Sequence, residues 1–206
     1  MLFCHEFHND IIDPSTPGKA PTMTKLFVGL CALLTCAAAC AAAPTGIYQF
    51  DVQDNGGKTV HLGQYRGKVL LIVNTASLCG NTPQYAGLEK LYKTYASKGL
   101  RILAFPENDF GSQEPGSNAE IRQFCTAKYD VTFDLFSKID VNGPNQAPLY
   151  KYLTDKSTDP QYGGPIEWNF AKFLVGRDGK IVGRFPAGHD PTSPDVVAAI
   201  EAALKG

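Results

Sequence analysis

The sequence has little cysteine where a metal or dithiol protein would need it. Six cysteines occur in 206 residues, but Cys4, Cys31, Cys36 and Cys40 all precede residue 44. Only Cys79 and Cys125 follow it. A closed zinc site takes about four ligands, and His61 and His189 are isolated from each other, so no metal site is visible. No cofactor motif is visible either. There is no C-x-x-C pair, which argues against a dithiol–disulfide exchange enzyme. A surplus of charge is missing as well. Nineteen Lys and Arg balance 20 Asp and Glu, for a net charge of −1. That balance argues against nucleic acid as a partner, which demands a basic face. Beyond residue 44 no repeat, low-complexity tract or Pro/Ser-rich linker interrupts the chain. Its length suits one domain with a real core.

Hydrophobic residues make up 44% of the chain, partly because of MTKLFVGLCALLTCAAACAAAP at 23–44. A basic start at Lys25, an apolar run from Leu26 and small residues near the end are the layout of a secretory signal peptide. Residues 23–43 are therefore expected to be a signal peptide, with Met23 as the true start. The polar, unpatterned residues 1–22 read as an upstream extension outside the native protein. With Met1 as the start, residues 26–43 would instead form an uncleaved membrane anchor, near the lower length limit for a span. Cys40 after three alanines resembles a lipoprotein signal. Each reading makes the mature domain, 44–206, an exported one, periplasmic or secreted. Two cysteines in an exported domain permit a disulfide.

Residues 47–62, IYQFDVQDNGGKTVHL, read as a hairpin turning at DNGG. KVLLIVNTA, 68–76, is a continuous apolar run, as in a strand buried on both faces. TPQYAGLEKLYKTYASKG, 82–99, places Leu88, Leu91, Tyr92 and Tyr95 on one helical face, with Pro83 near its start and Gly99 at its stop. LRILAFP, 100–106, is a second buried strand, so 68–106 forms a βαβ unit with a parallel pair. SNAEIRQFCTAKY, 117–129, is a helix with Ser117 and Glu120 at capping-box spacing. FDLFSKID is a short extended segment, and PLYKYL is a helical turn. KFLVGRDGKIVGRF, 172–185, is a hairpin, and SPDVVAAIEAALKG is a closing helix. The order ββαβα…ββα with mixed pairing is that of an α/β, thioredoxin-like fold: a mixed central sheet flanked by helices, with an N-terminal hairpin.

Cys79, in NTASLCGNTPQY, then lies at the carboxyl end of a buried strand, before a helix. That edge is where ligands bind in open α/β sheets. The helix N-terminus offers free N–H groups and partial positive charge, which favour a thiolate. On this stretch alone, a buried structural cysteine remains an alternative.

Two more segments bear on it. Residues 105–116 read FPENDFGSQEPG, and 166–175 read IEWNFAKFLV, with the single tryptophan beside an asparagine at the start of a strand. In this order the three segments resemble the glutathione peroxidase family, over essentially all of residues 46–206. The resemblance implies a thiol peroxidase that reduces hydrogen peroxide and organic hydroperoxides without a cofactor. It makes Cys79 the peroxidatic residue, with Gln113, Trp168 and Asn169 completing a catalytic tetrad. Their amides and indole donate hydrogen bonds without acquiring charge. It makes Cys125 the resolving cysteine, forming a Cys79–Cys125 disulfide after local unravelling of the second helix. The implied reductant is a thioredoxin-like dithiol protein, or glutathione. Residues 154–166, TDKSTDPQYGGPI, are shorter than the oligomerisation loop of tetrameric relatives, which implies a monomer without a dedicated glutathione site.

The chain departs from many relatives in carrying Glu107 where they have a third cysteine and Asp109 where they have glutamine. This acid pair is expected to oppose thiolate formation through like charge. Cysteine in place of selenocysteine implies lower turnover than in selenium members. Two other readings use the same cysteines: a redox sensor that passes oxidation to a partner, and an exported thioredoxin-fold protein with a permanent structural bridge.

Overall fold

The computed structural model describes residues 46–206. The extension at 1–22, the signal peptide at 23–43, the anchor through 26–43 and the lipoprotein-like Cys40 lie outside the described residues. Among the described residues no helix is long and apolar enough to cross a membrane.

A 3-10 turn, Gly46–Gln49, leads into a short hairpin of β1 (Asp51–Gln53) and β2 (Thr59–His61). The expected hairpin thus loses its first residues. Ile47 and Tyr48 are fully buried, and the Tyr48 hydroxyl donates to the Arg177 carbonyl at 2.8 Å. Packing coils these residues where their pattern alone reads as strand. A second 3-10 turn, Leu62–Tyr65, precedes β3 (Val69–Thr75), whose seven residues are all buried. Helix α1 (Gln84–Tyr95) starts after Pro83 and buries Leu88, Leu91 and Tyr95, with Tyr92 packed against the same cluster. It runs into a 3-10 turn ended by Gly99 at φ 108°, a left-handed stop that favours glycine.

Strand β4 (Leu100–Pro106) pairs parallel with β3 from Val69–Leu100 to Thr75–Pro106, as the βαβ reading requires. Helix α2 (Asn118–Tyr129) carries the expected capping box. The Glu120 N–H donates to Ser117 Oγ at 3.4 Å, and the Ser117 N–H donates to Glu120 Oε2 at 2.7 Å. The extended segment after it shrinks to β5 (Asp134–Leu135), followed by α3 (Pro148–Thr154). Strands β6 (Lys172–Val175) and β7 (Ile181–Phe185) form the second hairpin, and α4 (Pro194–Lys205) closes the chain. The main sheet has the order β5-β4-β3-β6-β7, with β3, β4 and β5 parallel and β6 and β7 antiparallel to their neighbours.

The alternation along β3 divides the core. Val69, Leu71 and Val73 face one apolar cluster with residues of α1, α2 and α4; Leu70 and Ile72 face another with α3 and the 3-10 turns. Each such aliphatic side chain contributes about 2 kcal/mol by leaving water. One border of the sheet is covered. The β1–β2 turn bonds past β5, with the Asn55 N–H on the Leu135 carbonyl and the Ser137 N–H on the Gln53 carbonyl. At the other border, Arg184 of β7 spreads its guanidinium over the carbonyls of Tyr162, Gly164 and Pro165, and a bulge falls between Leu174 and Val175.

Lys172 is a charged residue in this core, fully buried at the start of β6. Its ammonium donates to the Ala187 carbonyl at 3.3 Å and to the carbonyls of Pro186 and His189. Burial lowers it from the usual 10.5 to about 8, against the raising effect of Asp190. Above pH 8 the folded protein gives up this proton while the unfolded chain keeps it to about 10.5, so stability rises with pH across that window. Chemical denaturation between pH 7.5 and about pH 10 should show wild type gaining stability relative to Lys172→Met, and parallel curves would contradict this.

Candidate active site

The pairing of Thr75 with Pro106 ends β3 and β4 side by side, and the Glu107 N–H extends the ladder to the Thr75 carbonyl at 3.0 Å. Three segments leave or cross this edge: the turn with Cys79, the loop with Gln113, and the turn with Trp168. Thr82 closes the first. Its Oγ1 accepts the Cys79 N–H at 3.0 Å and donates to the Ala76 carbonyl at 2.9 Å, while its own N–H donates to the Cys79 carbonyl at 3.0 Å. The Asn81 N–H points at Cys79 Sγ, 3.3 Å away. A backbone donor so placed can hold anionic sulfur. The sequence pointed to the helix N-terminus for this service; the donor is a turn residue three positions before Gln84. Cys79 is 7% exposed, whereas Leu78 beside it is 64% exposed.

Gln113 and Asn169 join the same network. The Leu78 N–H donates to the Gln113 carbonyl at 3.0 Å. Asn169 is fully buried; its Nδ2 donates to Gln113 Oε1 at 3.0 Å, and its carbonyl accepts Asn81 Nδ2 at 3.2 Å. One chain of contacts therefore runs from Cys79 Sγ through Asn81 to Asn169 and Gln113. Trp168 stands at the rim, 41% exposed, with its ring 5.5 Å from that of Phe110. It does not begin a strand as expected. It lies in a turn four residues before β6, where Phe170 takes φ 75°. That left-handed backbone costs a non-glycine residue about 1–3 kcal/mol. The Phe170 N–H bond to the Asn74 carbonyl at 2.7 Å and an edge contact with Tyr85 hold it.

Cys125 sits on α2, 1% exposed, in the apolar cluster that also contains Cys79. Both thiols are free. Burial pushes the Cys125 thiol up to about 11, which keeps it protonated and unreactive in place.

Several residues of the site escaped sequence reasoning. Asn81 and Thr82 lie in the quoted cysteine turn without any family motif to mark them. Asn74 gave a readable signal: a polar residue inside an apolar strand. Its Nδ2 donates to Glu107 Oε1 and to the Trp168 carbonyl, each at 3.1 Å. The acid pair also takes a form the sequence did not suggest. Glu107 is fully buried and raised by burial to about 7, although the Asp109 N–H and Asn74 favour its charged form. Asp109 turns aside, its Oδ2 accepting the N–H groups of Val141 at 2.6 Å and Asn142 at 2.9 Å.

A sulfur that accepts a backbone N–H, with the only other thiol among the described residues buried in a helix, suits a thiol oxidoreductase that attacks rather than exchanges. Comparison with known proteins gives the family. The glutathione peroxidase profile matches residues 47–154. Over 164 residues the chain is 50% identical to the hydroperoxy fatty acid reductase of Synechocystis sp., covering 77% of this chain and 95% of that protein. It is 49% identical over 144 residues to the glutathione peroxidase of Lactococcus lactis, covering 70% and 91%. The crystal structure of T. cruzi GPX1 superposes with a TM-score of 0.62 at 33% identity, covering 79% of this chain and 98% of that one. A thioredoxin-family thiol:disulfide interchange protein of Chlorobium tepidum matches with a TM-score of 0.57 at 15% identity over 79% and 98%, which shows the thioredoxin-like fold alone. The chain belongs to the glutathione peroxidase family and is a thiol peroxidase.

Thr82→Val keeps the shape of the cysteine turn but strands the Cys79 N–H and the Ala76 carbonyl. Urea unfolding should show a loss of about 2 kcal/mol. An unchanged midpoint would mean that the hydroxyl does not hold the turn.

Proposed function

We propose that Cys79 reduces hydroperoxides by direct attack, with Asn169, Gln113 and Trp168 as donors, and that Cys125 resolves the product. The thiolate sulfur attacks one peroxide oxygen and the O–O bond breaks. The departing oxygen takes a proton and leaves as water or an alcohol, and Cys79 becomes a sulfenic acid. Negative charge moves from sulfur to the leaving oxygen, so the site needs donors for both. The observation that carries this reading is the contact chain from Cys79 Sγ through Asn81 to Asn169 and Gln113. Trp168 and Leu78, exposed at the rim, offer apolar surface to the tail of an organic hydroperoxide.

The Cys125 thiol then displaces the sulfenic hydroxyl as water, giving a Cys79–Cys125 disulfide. A bridge needs Cα atoms within about 7 Å; the family resemblance implies that the two start farther apart, so α2 opens first. Opening also takes Cys125 out of the apolar core and lets it ionise. Glu89 of α1 restrains this motion. Its carboxylate accepts the Thr132 hydroxyl at 2.5 Å and the Thr132 N–H at 2.9 Å, pinning the segment behind α2. A thioredoxin-like dithiol reduces the disulfide; glutathione is the other candidate. The leader pattern at 23–43 supports export, so the partner is an exported dithiol protein. The short connection at 154–166 supports a monomer.

Peroxide consumption coupled to thioredoxin and to glutathione tests the assignment. Cys79→Ser should lose both activities. Cys125→Ser should lose thioredoxin-coupled turnover yet still consume one equivalent of peroxide, trapped as Cys79 sulfenic acid by mass spectrometry. Full thioredoxin turnover in Cys125→Ser would remove that residue from the cycle. Glu89→Ala, by freeing the segment behind α2, should speed disulfide formation about tenfold, the weight of one charge-assisted hydrogen bond. Rapid mixing should show its peroxide step unchanged; an unaltered disulfide rate would mean that Glu89 does not restrain α2.

A further inference from the structure

Beneath the reaction centre lies a buried polar cluster that the peroxide chemistry does not use. Glu107 Oε1 accepts one hydrogen of Asn74 Nδ2, and Oε2 accepts the Asp109 N–H at 2.7 Å. The other Asn74 hydrogen goes to the Trp168 carbonyl, and the Asn74 carbonyl accepts the Phe170 N–H. Asn74 thus grips both ends of the turn that carries Trp168 and Asn169. Asn74 Oδ1 is buried with no hydrogen-bond partner. So is the hydroxyl of Tyr150 on α3, a group raised by burial and by the charge of Glu107.

We infer that Glu107 is a positioning residue of the reaction centre: its carboxylate orients the Asn74 amide, and that amide fixes Trp168. The ionised carboxylate only accepts, so it holds Nδ2 in the orientation that reaches Trp168. A protonated carboxyl carries a hydroxyl donor, and the unpartnered Asn74 Oδ1 is the acceptor beside it. Rotating the amide to take that proton withdraws Nδ2 from the Trp168 carbonyl. An unsatisfied buried acceptor costs about 1–3 kcal/mol, so bonding Oδ1 offsets the bond lost at the Trp168 carbonyl. The groups that face Glu107 are Asn74 of β3, Asp109 and its N–H on the following loop, and Tyr150 of α3. Asp109 is held by the 141–142 backbone and Tyr150 is neutral, so near neutral pH the proton moves on Glu107, which burial has raised to about 7.

This inference rests on the peroxidase reading for the part Trp168 plays in the reaction. Its test reads a spectrum, so the two fail separately. Trp168 is the sole tryptophan, and its emission reports the turn directly. In wild type and in Cys79→Ser, which removes the nucleophile's own titration, emission should shift with a midpoint near pH 7. Glu107→Gln keeps the shape and removes the charge; the shift should vanish there. A transition that persists in Glu107→Gln belongs to another group and overturns the inference, as does a flat response in Cys79→Ser. If Glu107→Gln does not fold, NMR of Cys79→Ser decides. The Trp168 indole N–H peak should move with the same midpoint as one glutamate side-chain carboxyl carbon, and an indole peak that stays fixed through that titration overturns it.

Discussion

The hydrogen-bond ladder between β3 and β4 is the constraint from which the site follows. Because the two strands run parallel and in step, Thr75 and Pro106 end together. The cysteine turn and the glutamine loop therefore begin as neighbours. Asn74, one residue inside the ladder, then captures the tryptophan turn through the Phe170 N–H and the Trp168 carbonyl. Asn81 and Asn169, 88 positions apart in sequence, meet because one strand pair fixes where all three segments start.

The site works with neutral donors. No lysine, arginine or histidine is bonded to Cys79, Gln113 or Asn169 among the described residues. On the proposed mechanism, such neutral groups would follow charge as it moves from sulfur to oxygen without binding either state too tightly, which is what differential stabilisation of a transition state requires. The second thiol is treated in the opposite way. Cys125 is sealed in apolar surroundings, where burial raises its thiol to about 11 and keeps it protonated. On the mechanism proposed above, one sulfur attacks and the other stays buried until the first has been oxidised.

Much of this was legible in the sequence. The apolar runs at 68–76 and 100–106, the Ser117–Glu120 box and the closing hairpin and helix all appear where local pattern and local chemistry agree. Cys79, Gln113 and Asn169 were named from motifs and meet in one network. What escaped is what distance contacts decide. The 3-10 turns at Gly46–Gln49 and Leu62–Tyr65 form because Tyr48 and Leu62 are drawn into the core. Trp168 sits in a turn because Asn74 bends the chain at Phe170. The burial of Glu107 and Lys172 was not legible either, since burial of an ion shows only in its partners: the Asn74 amide in one case, three backbone carbonyls in the other.

The treatment of the sheet's two borders has its own consequence. An open edge strand is a template on which another chain can add, the usual seed of aggregation. Here the N-terminal hairpin covers one side, while the Arg184 fork and the adjoining bulge spoil the flatness of the other. On the proposed cycle, each loosening of α2 would expose hydrophobic surface. A covered border on one side and an irregular one on the other offer that surface little flat template on which to pair.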